Sequence, residues 1–238
     1  MRADFHTHIL PCVDDGSRSI EQSLEMLQLC KEMGLSHVVL TPHFYADRDH
    51  PDRFLARRTK ALAALEEAAA GKDLPTLIPA AEVHYFPNMG DSDELKKLTI
   101  GSSRYILVEM PMCRWTDRMW HDLERIYIAQ GITPILAHLD RYLTPFNARR
   151  ILRQIEKLQV MVQVNGERFL ERKTARMVKK MMKSYKIHLL GSDCHNMTDR
   201  KPNLGQVRNV IHAELGQDAL DCIAYYEQRI FKDGKVIE

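Results

Sequence analysis

Residues 5–19 read FHTHILPCVDDGSRS, and two chemistries compete for them. Cys12 and Arg18 stand at the C-x5-R spacing with which cysteine phosphatases cradle a phosphate. His6 and His8 instead stand two apart at the end of a short strand-like run. Residues i and i+2 of a strand face the same way, so two imidazoles placed like this can grip one metal ion. The cysteine loop needs a thiolate and backbone N–H groups facing a dianion. Here Asp14 and Asp15 lie inside the loop and would repel that dianion. Cys194 and Arg200 repeat the spacing across His195 and Asp199, which shows how readily it arises by chance. The metal reading prevails, and it places reactive groups at the C-terminal end of the first strand.

The same arrangement continues along the chain. ADFHTH is followed by the helical SIEQSLEMLQLCKEMG, in which Ile20, Leu24, Leu27 and Met33 lie near one face and Gly34 stops the run. HVVLTPH precedes the helical PDRFLARRTKALAALEEAAAG, and TLIPAAEV precedes a looser Gly/Asp/Asn segment. RYILVEM leads into a helix from Asp117 to Gln130, and TPILAH into NARRILRQIEKL. VMVQVN leads into KTARMVKKMMKSY, and IHLLGSD is the last strand. Seven strands interleaved with helices predict parallel pairing, right-handed crossovers and a closed or nearly closed α/β barrel. The 238 residues suit a single domain spanning 1–238.

Bulk composition narrows the function classes. Hydrophobic residues make up 45% and charged residues 28%, which describes a globular protein. A net charge of +2 provides no global field for nucleic acid. No apolar run is long enough for membrane insertion. The start of the chain reads as a strand carrying Asp4 rather than as a signal peptide. Five irregularly spaced cysteines point to free thiols and a cytoplasmic setting. The helix with Lys173, Arg176, Lys179, Lys180 and Lys183 reads as a solvated outer face.

In βα barrels the chemistry gathers at the C-terminal strand ends. Those ends carry His6 and His8, His43, Glu82, Glu109, His138, Asn165, and finally Asp193 and His195. Each alone has a structural explanation, but together they put an imidazole or carboxylate on nearly every strand. Imidazoles and carboxylates without a cysteine-rich set favour zinc, manganese or iron. Several clustered cations would also let Asp15, Glu82, Glu109 and Asp193 converge without mutual repulsion.

Taken in order, HTHILPCVDDG, TPH, AEV, VEMP, AHLDRY, QVN and SDCHN resemble the polymerase-and-histidinol-phosphatase (PHP) superfamily. Within it the chain resembles the metal-dependent bacterial protein-tyrosine phosphatases of capsular and exopolysaccharide loci. The resemblance runs from residue 1 to about 230. It implies a distorted seven-stranded (β/α) barrel of the PHP type with three divalent metal ions, manganese first and iron or zinc as alternatives. His6, His8, Glu82 and Asp193 would hold one ion. Glu82 would bridge to a second ion held with Glu109 and His138, and Asp15, His43 and His195 would hold the third. Arg141 and Arg200 match family arginines that bind phosphate. The implied reaction is hydrolysis of phosphotyrosine on a protein, a bacterial tyrosine kinase of polysaccharide synthesis, by a metal-bound hydroxide.

Four positions depart from the family pattern: Phe44 after TPH, Asp140 in HLDRY, and Gly166 and Glu167 after QVN. None removes a proposed ligand, but they leave the substrate preference of the rim open. The competing readings are a PHP phosphoesterase for a small molecule such as histidinol phosphate, and a non-catalytic metal-binding regulator of a tyrosine kinase. His84 follows Glu82 on the same strand face and could sit near the substrate, but a satisfied structural role is the preferred reading. His37, His50, His121, His188 and His212 read as packing or surface residues.

Overall fold

Apolar runs rich in Val, Ile and Leu form the strands, as their β propensity directs. In the computed structural model, residues 2–144, 146–184 and 186–233 are described. Tyr185, at the end of the helix expected over 173–185, lies outside them, as do the extremities of the 1–238 span. β1 (Ala3–Thr7), β2 (His37–Leu40) and β4 (Thr76–Pro79) form a parallel sheet ordered β1-β2-β4. A second parallel sheet comprises β3 (His43–Phe44), β5 (Glu82–His84), β6 (Tyr105–Glu109), β7 (Thr133–Leu136), β8 (Met161–Asn165) and β9 (Leu189–Gly191). Its order is β3-β5-β6-β7-β8-β9.

The expected second and third strands each break in two. Thr41 and Pro42 separate β2 from β3, and Ala80 and Ala81 separate β4 from β5. Proline has no N–H to give a ladder, so the strand jogs there. Pro42 still accepts from Glu82 N at 3.1 Å. The jog moves both chains from one sheet to the other and pairs His43 with Glu82 in register.

Backbone bonds also link β1 to the segment after β9. His8 N donates to Cys194 O at 2.9 Å, and Asp193 N donates to His6 O at 2.8 Å. Beneath them the fully buried Asp4 accepts from the N–H groups of His6 at 3.2 Å and Ser192 at 2.9 Å. Burial pushes its carboxyl up to about 6, against the pull of those hydrogen bonds.

Capping side chains mark the starts of the first three helices. α1 (Ile20–Glu32) starts at Ser19, whose hydroxyl accepts from Gln22 N. α2 (Pro51–Ala69) opens with proline, which suits a first helical turn. α3 (Asp117–Gln130) runs from a Thr116 cap to Gly131 at φ +67°. α4 (Ala148–Ile155), the short α5 (Glu167–Leu170) and α6 (Arg172–Lys183) follow. Two further helices, α7 (Leu204–Leu215) and α8 (Gln217–Asp233), extend the order beyond the last expected strand. They pack back onto β1: Phe231 stacks on Phe5 with ring centroids 5.2 Å apart, and Arg208 pairs with Glu227 in the interior.

One apolar cluster includes Leu107, Ile135, Met161 and Leu189. Strand alternation then places Glu109 two residues beyond Leu107, and Gln163 and Asn165 beyond Met161, on the same side. The polar centre therefore sits on a solid apolar layer.

His188 supplies an acid-sensitive contact in this frame. Its Nδ1 accepts from Val162 N at 2.9 Å, which requires a neutral ring. Burial and the nearby Arg229 guanidinium lower its pKa from 6.5 to about 4. A depressed folded-state value gives stability that is present above pH 6.5 and lost as pH falls towards 4. His188→Gln is expected to cost about 1 kcal/mol at neutral pH and to flatten the fall in stability below pH 6.5. Urea midpoints of both proteins across that range check this, and parallel pH curves would assign the acid sensitivity elsewhere.

Candidate metal centre

The strand ends bring their donors to one place. His6 Nε2 lies 3.1 Å from His8 Nε2 and 3.1 Å from Glu82 Oε2. Asp193 Oδ1 lies 3.5 Å from His8 Nε2 and 3.7 Å from His6 Nε2. Ligands about 2.1 Å from a common ion stand roughly 3–3.5 Å apart, so this spacing suits one cation. Glu82 Oε1 turns the other way, 2.9 Å from His138 Nε2, which is 3.4 Å from Glu109 Oε1. His43 Nδ1 approaches Glu82 Oε2 at 2.9 Å. Asp15 Oδ1 lies 3.5 Å from both His43 Nε2 and His195 Nε2.

Three compact donor groups result: His6, His8 and Asp193; His43, Glu82 and Glu109; and His8, Asp15, His43 and His195. These groups hold eight of the nine residues singled out as ligands in the sequence, and the ninth, His138, adjoins them with Nε2 2.9 Å from Glu82 Oε1. The donor set fits divalent cations on two grounds. It is all imidazole and carboxylate, and Glu82 Oε2 and His195 Nε2 are buried without a well-formed hydrogen bond among the described residues.

A second layer holds these donors in place. Asp14 Oδ2 lies 2.7 Å from His8 Nδ1 and accepts from His43 N at 2.9 Å. With Nδ1 engaged, His8 presents Nε2 to the centre. Gly16 lets this loop close: an added Cβ would come within 2.1 Å of His8 O and 2.5 Å of His8 Cβ. Gln163 Oε1 lies 3.2 Å from His6 Nδ1 and accepts from His138 N at 2.6 Å. Its amide donates to Asn165 Oδ1, and Asn165 donates to Asp193 Oδ2 at 2.9 Å. His84 Nδ1 lies 2.9 Å from Glu109 Oε2, so it orients that carboxylate.

Gln163 has no assigned role in the sequence reading, and Asp14, which at first sight reads with His6, His8 and Asp15 as a metal ligand, sits instead behind His8 and His43. The adjacency in VDDG and the i, i+2 pair in QVN are the only signals the sequence offers for them. His138 and Asp193 take left-handed backbone conformations at φ 33° and 54°. Such residues cost about 1–3 kcal/mol each, and here the Gln163–His138 and Asp193–His6 bonds hold them.

The electrostatics follow from crowding opposite charges in a buried space. Burial works against ionised Glu82, yet His6, His138 and His43 hold its carboxyl well below the usual range. Asp193 is lowered likewise, burial being outweighed by His6, His8 and Arg141. Burial also opposes a charged His8, but Asp14 and Glu82 raise it to about 10. Glu109 and Glu82 raise His138 to about 9 against the same penalty. His195 goes the other way, to about 4, through burial and the charges of His8 and Arg200.

Arg141 and Arg200 meet at the opposite oxygens of a single carboxylate. Arg141 pairs with Asp193 Oδ2, and Arg200 donates to Oδ1 at 2.7 Å. Both remain partly exposed. The cysteines stand apart: Cys12 is exposed and its thiol donates to Arg18 O at 3.0 Å. Cys194 is buried, which pushes its thiol well up. His50 caps α2, accepting from Asp52 N, and His37 stacks on Phe231. No helix among the described residues is long and apolar enough to cross a membrane.

Known proteins share this arrangement of chain and fold. The sequence profile of the family "Capsular polysaccharide synthesis, CpsB/CapC" matches residues 2–231. The chain belongs to the CpsB/CapC family. The tyrosine-protein phosphatase CpsB of Streptococcus pneumoniae is 28% identical over 223 residues, covering 90% of each chain. A solved structure of the metal-dependent tyrosine phosphatases YwqE from Bacillus subtilis and CpsB from Streptococcus pneumoniae superposes with a TM-score of 0.86. That match is 20% identical and covers 97% of this chain and 94% of the other. Histidinol phosphate phosphatase from Lactococcus lactis matches at a TM-score of 0.56 and 14% identity, covering 92% of each chain.

In this CpsB/CapC chain the Asp14–His8 contact can be tested directly. Asp14→Asn is expected to weaken metal binding about 10- to 100-fold while the far-ultraviolet circular dichroism stays unchanged. Competition with a chromogenic chelator measures it. Wild-type affinity in the variant would show that His8 is oriented without Asp14.

Proposed function

We propose that this chain is a metal-dependent phosphomonoester hydrolase that removes phosphate from phosphotyrosine on protein. The observation that carries this is the clustered donor set with Arg141 and Arg200 at its edge, in a CpsB/CapC chain. The protein substrate is a bacterial tyrosine kinase of polysaccharide synthesis, and the setting is cytoplasmic. The chain forms one domain over 1–238, a distorted seven-stranded barrel of the PHP type. The bonds between β1 and the segment after β9 support that closure.

His6, His8, Glu82 and Asp193 would hold one ion; Glu82, Glu109 and His138 a second; Asp15, His43 and His195 a third. Manganese is the first choice, with iron or zinc as alternatives. Bound divalent ions would supply an activated water nucleophile and neutralise phosphoryl oxygens. The chain's own groups do the rest. Arg141 and Arg200 clamp the phosphoryl oxygens with charge-assisted hydrogen bonds while Asp193 braces both guanidinium groups. Asp14 and Gln163 fix the imidazole orientations, so the charge distribution is set before substrate arrives. Phenolate leaves readily, so no dedicated general acid is required.

Turnover of p-nitrophenyl phosphate and a phosphotyrosine peptide, abolished by chelator and restored by manganese, is the expected result. Preference for histidinol phosphate would defeat the protein-substrate assignment, and no turnover at full metal loading would favour a regulator. His6→Ala is expected to lose about 100-fold or more in kcat/KM, whereas Cys12→Ser keeps most activity. Equal losses would return the reaction to the cysteine loop. Arg141→Ala should lower kcat/KM about 10- to 100-fold, mainly through KM, with metal content unchanged by elemental analysis. Metal loss matching the activity loss would make Arg141 a support for Asp193 only.

A further inference from the structure

The mouth of the centre is electrostatically lopsided. On one side a cavity touches Asp14, Asp15 and His43 and contains Arg48, Arg53 and Arg57; Arg53 and Arg57 pair with Asp49, and Arg48 lies over the Tyr45 ring, 4.0 Å from Asp47. On the other side a cleft of ≈ 490 Å³ runs out from Arg141 between residues 112–115 and the start of α4. Its described lining residues include Arg114, Arg141 and Arg150 and no carboxylate. Arg141 is engaged by Asp193 at the inner end. Arg114 and Arg150 are exposed and form no ion pair among the described residues. The volume is that of an ordinary ligand cleft, about 300–1,000 Å³.

The floor of the cleft is rigid. Trp115 is buried, its indole donates to Pro111 O at 3.2 Å, and it packs edge-on to Tyr142 with centroids 5.1 Å apart. Tyr142 in turn lies against His138 of the donor cluster at 5.6 Å. One continuous wall therefore joins the cleft to the centre, with Met112 standing 73% exposed at its lip. A chain whose phosphotyrosine enters the centre can leave past this wall or past the cavity opposite. The cleft offers guanidinium groups with no carboxylate on its own described wall, whereas the opposite cavity carries Asp14, Asp15 and Asp49 beside its arginines.

We propose that Arg114 and Arg150 form a subsite for an acidic residue next to the phosphotyrosine of a substrate peptide. This rests on the phosphatase reading above and adds a sequence preference to it. The subsite acts on substrate affinity and leaves the chemistry at the centre untouched.

Three substrates test it with the manganese-loaded full chain: p-nitrophenyl phosphate, a phosphotyrosine peptide with alanine flanks, and the same peptide with aspartate and glutamate flanks. The wild type is expected to favour the acidic peptide. The double variant Arg114→Ala/Arg150→Ala should lower kcat/KM for that peptide about 10-fold through KM. It should leave the other two substrates within about twofold. Fluorescence anisotropy with an acidic-flanked, non-hydrolysable phosphonate analogue should show the same loss in affinity, shrinking as salt rises. Arg150→Glu should reverse the preference towards lysine flanks. A wild type indifferent to the flanks, or equal losses on all three substrates, would overturn the subsite. If the wild type turned over none of the three, the phosphatase reading would fail instead, and the anisotropy measurement would still decide the cleft.

Discussion

The buried carboxylate of Glu82 is the interaction on which the rest of the structure depends. Taking a carboxylate out of water costs several kcal/mol unless opposite charge and hydrogen bonds meet it. Glu82 is met by His6, His43 and His138, which come from three different strand ends. Those strands must therefore arrive at one depth. The jogs at Thr41–Pro42 and Ala80–Ala81 accomplish that, setting His43 and Glu82 side by side as the chain passes between sheets. A regular strand through either break would shift the register and turn one of the two away.

Preorganisation decreases from the floor of the centre to its mouth. Gln163 is the pivot of the floor, since one amide reaches His6, His138 and, through Asn165, Asp193. Two donors in left-handed conformations are locked by this network, so their strain is held by backbone bonds on either side. At the mouth the contacts loosen: Asp15 is exposed, and Arg141 and Arg200 reach Asp193 on long, partly exposed side chains. Fixed charge below and adaptable charge above is an arrangement that suits binding an anion and letting its product go.

How much of this was legible in the sequence varied with the kind of residue. The strand ends were legible because period-two alternation and donor residues coincide there, and the helix expected over Asp117–Gln130 forms between a Thr116 cap and Gly131. The two strand breaks were not, since a proline in an apolar run signals a disturbance but not which sheet the chain joins next. α7 and α8 escaped because no strand or donor follows them; α8 covers Phe5 with Phe231, and Arg208 of α7 reaches Ala3 O. Gln163 escaped because an amide carries no mark of the histidine it holds. Arg141 and Arg200 were singled out only through the family resemblance. Their meeting on Asp193 depends on the left-handed turn at that residue.

The four departures from the family pattern now divide by where their side chains go. Phe44 is core, packed edge-on to Phe54 at 5.2 Å. Asp140 is buried and accepts from Asn165 N at 2.9 Å and Arg168 Nε at 3.0 Å, so the shorter acid ties its turn to β8. Gly166 is fixed by packing, because an added Cβ would come within 2.7 Å of Leu204 on α7. Glu167 pairs with Arg168 on its own short helix. All four thus serve support or surface, and none enters the donor cluster. Substrate preference in this chain must then be set by residues that do face the mouth. The arginines beside Trp115 and on α4, with no carboxylate in the described lining of their cleft, are among the groups so placed.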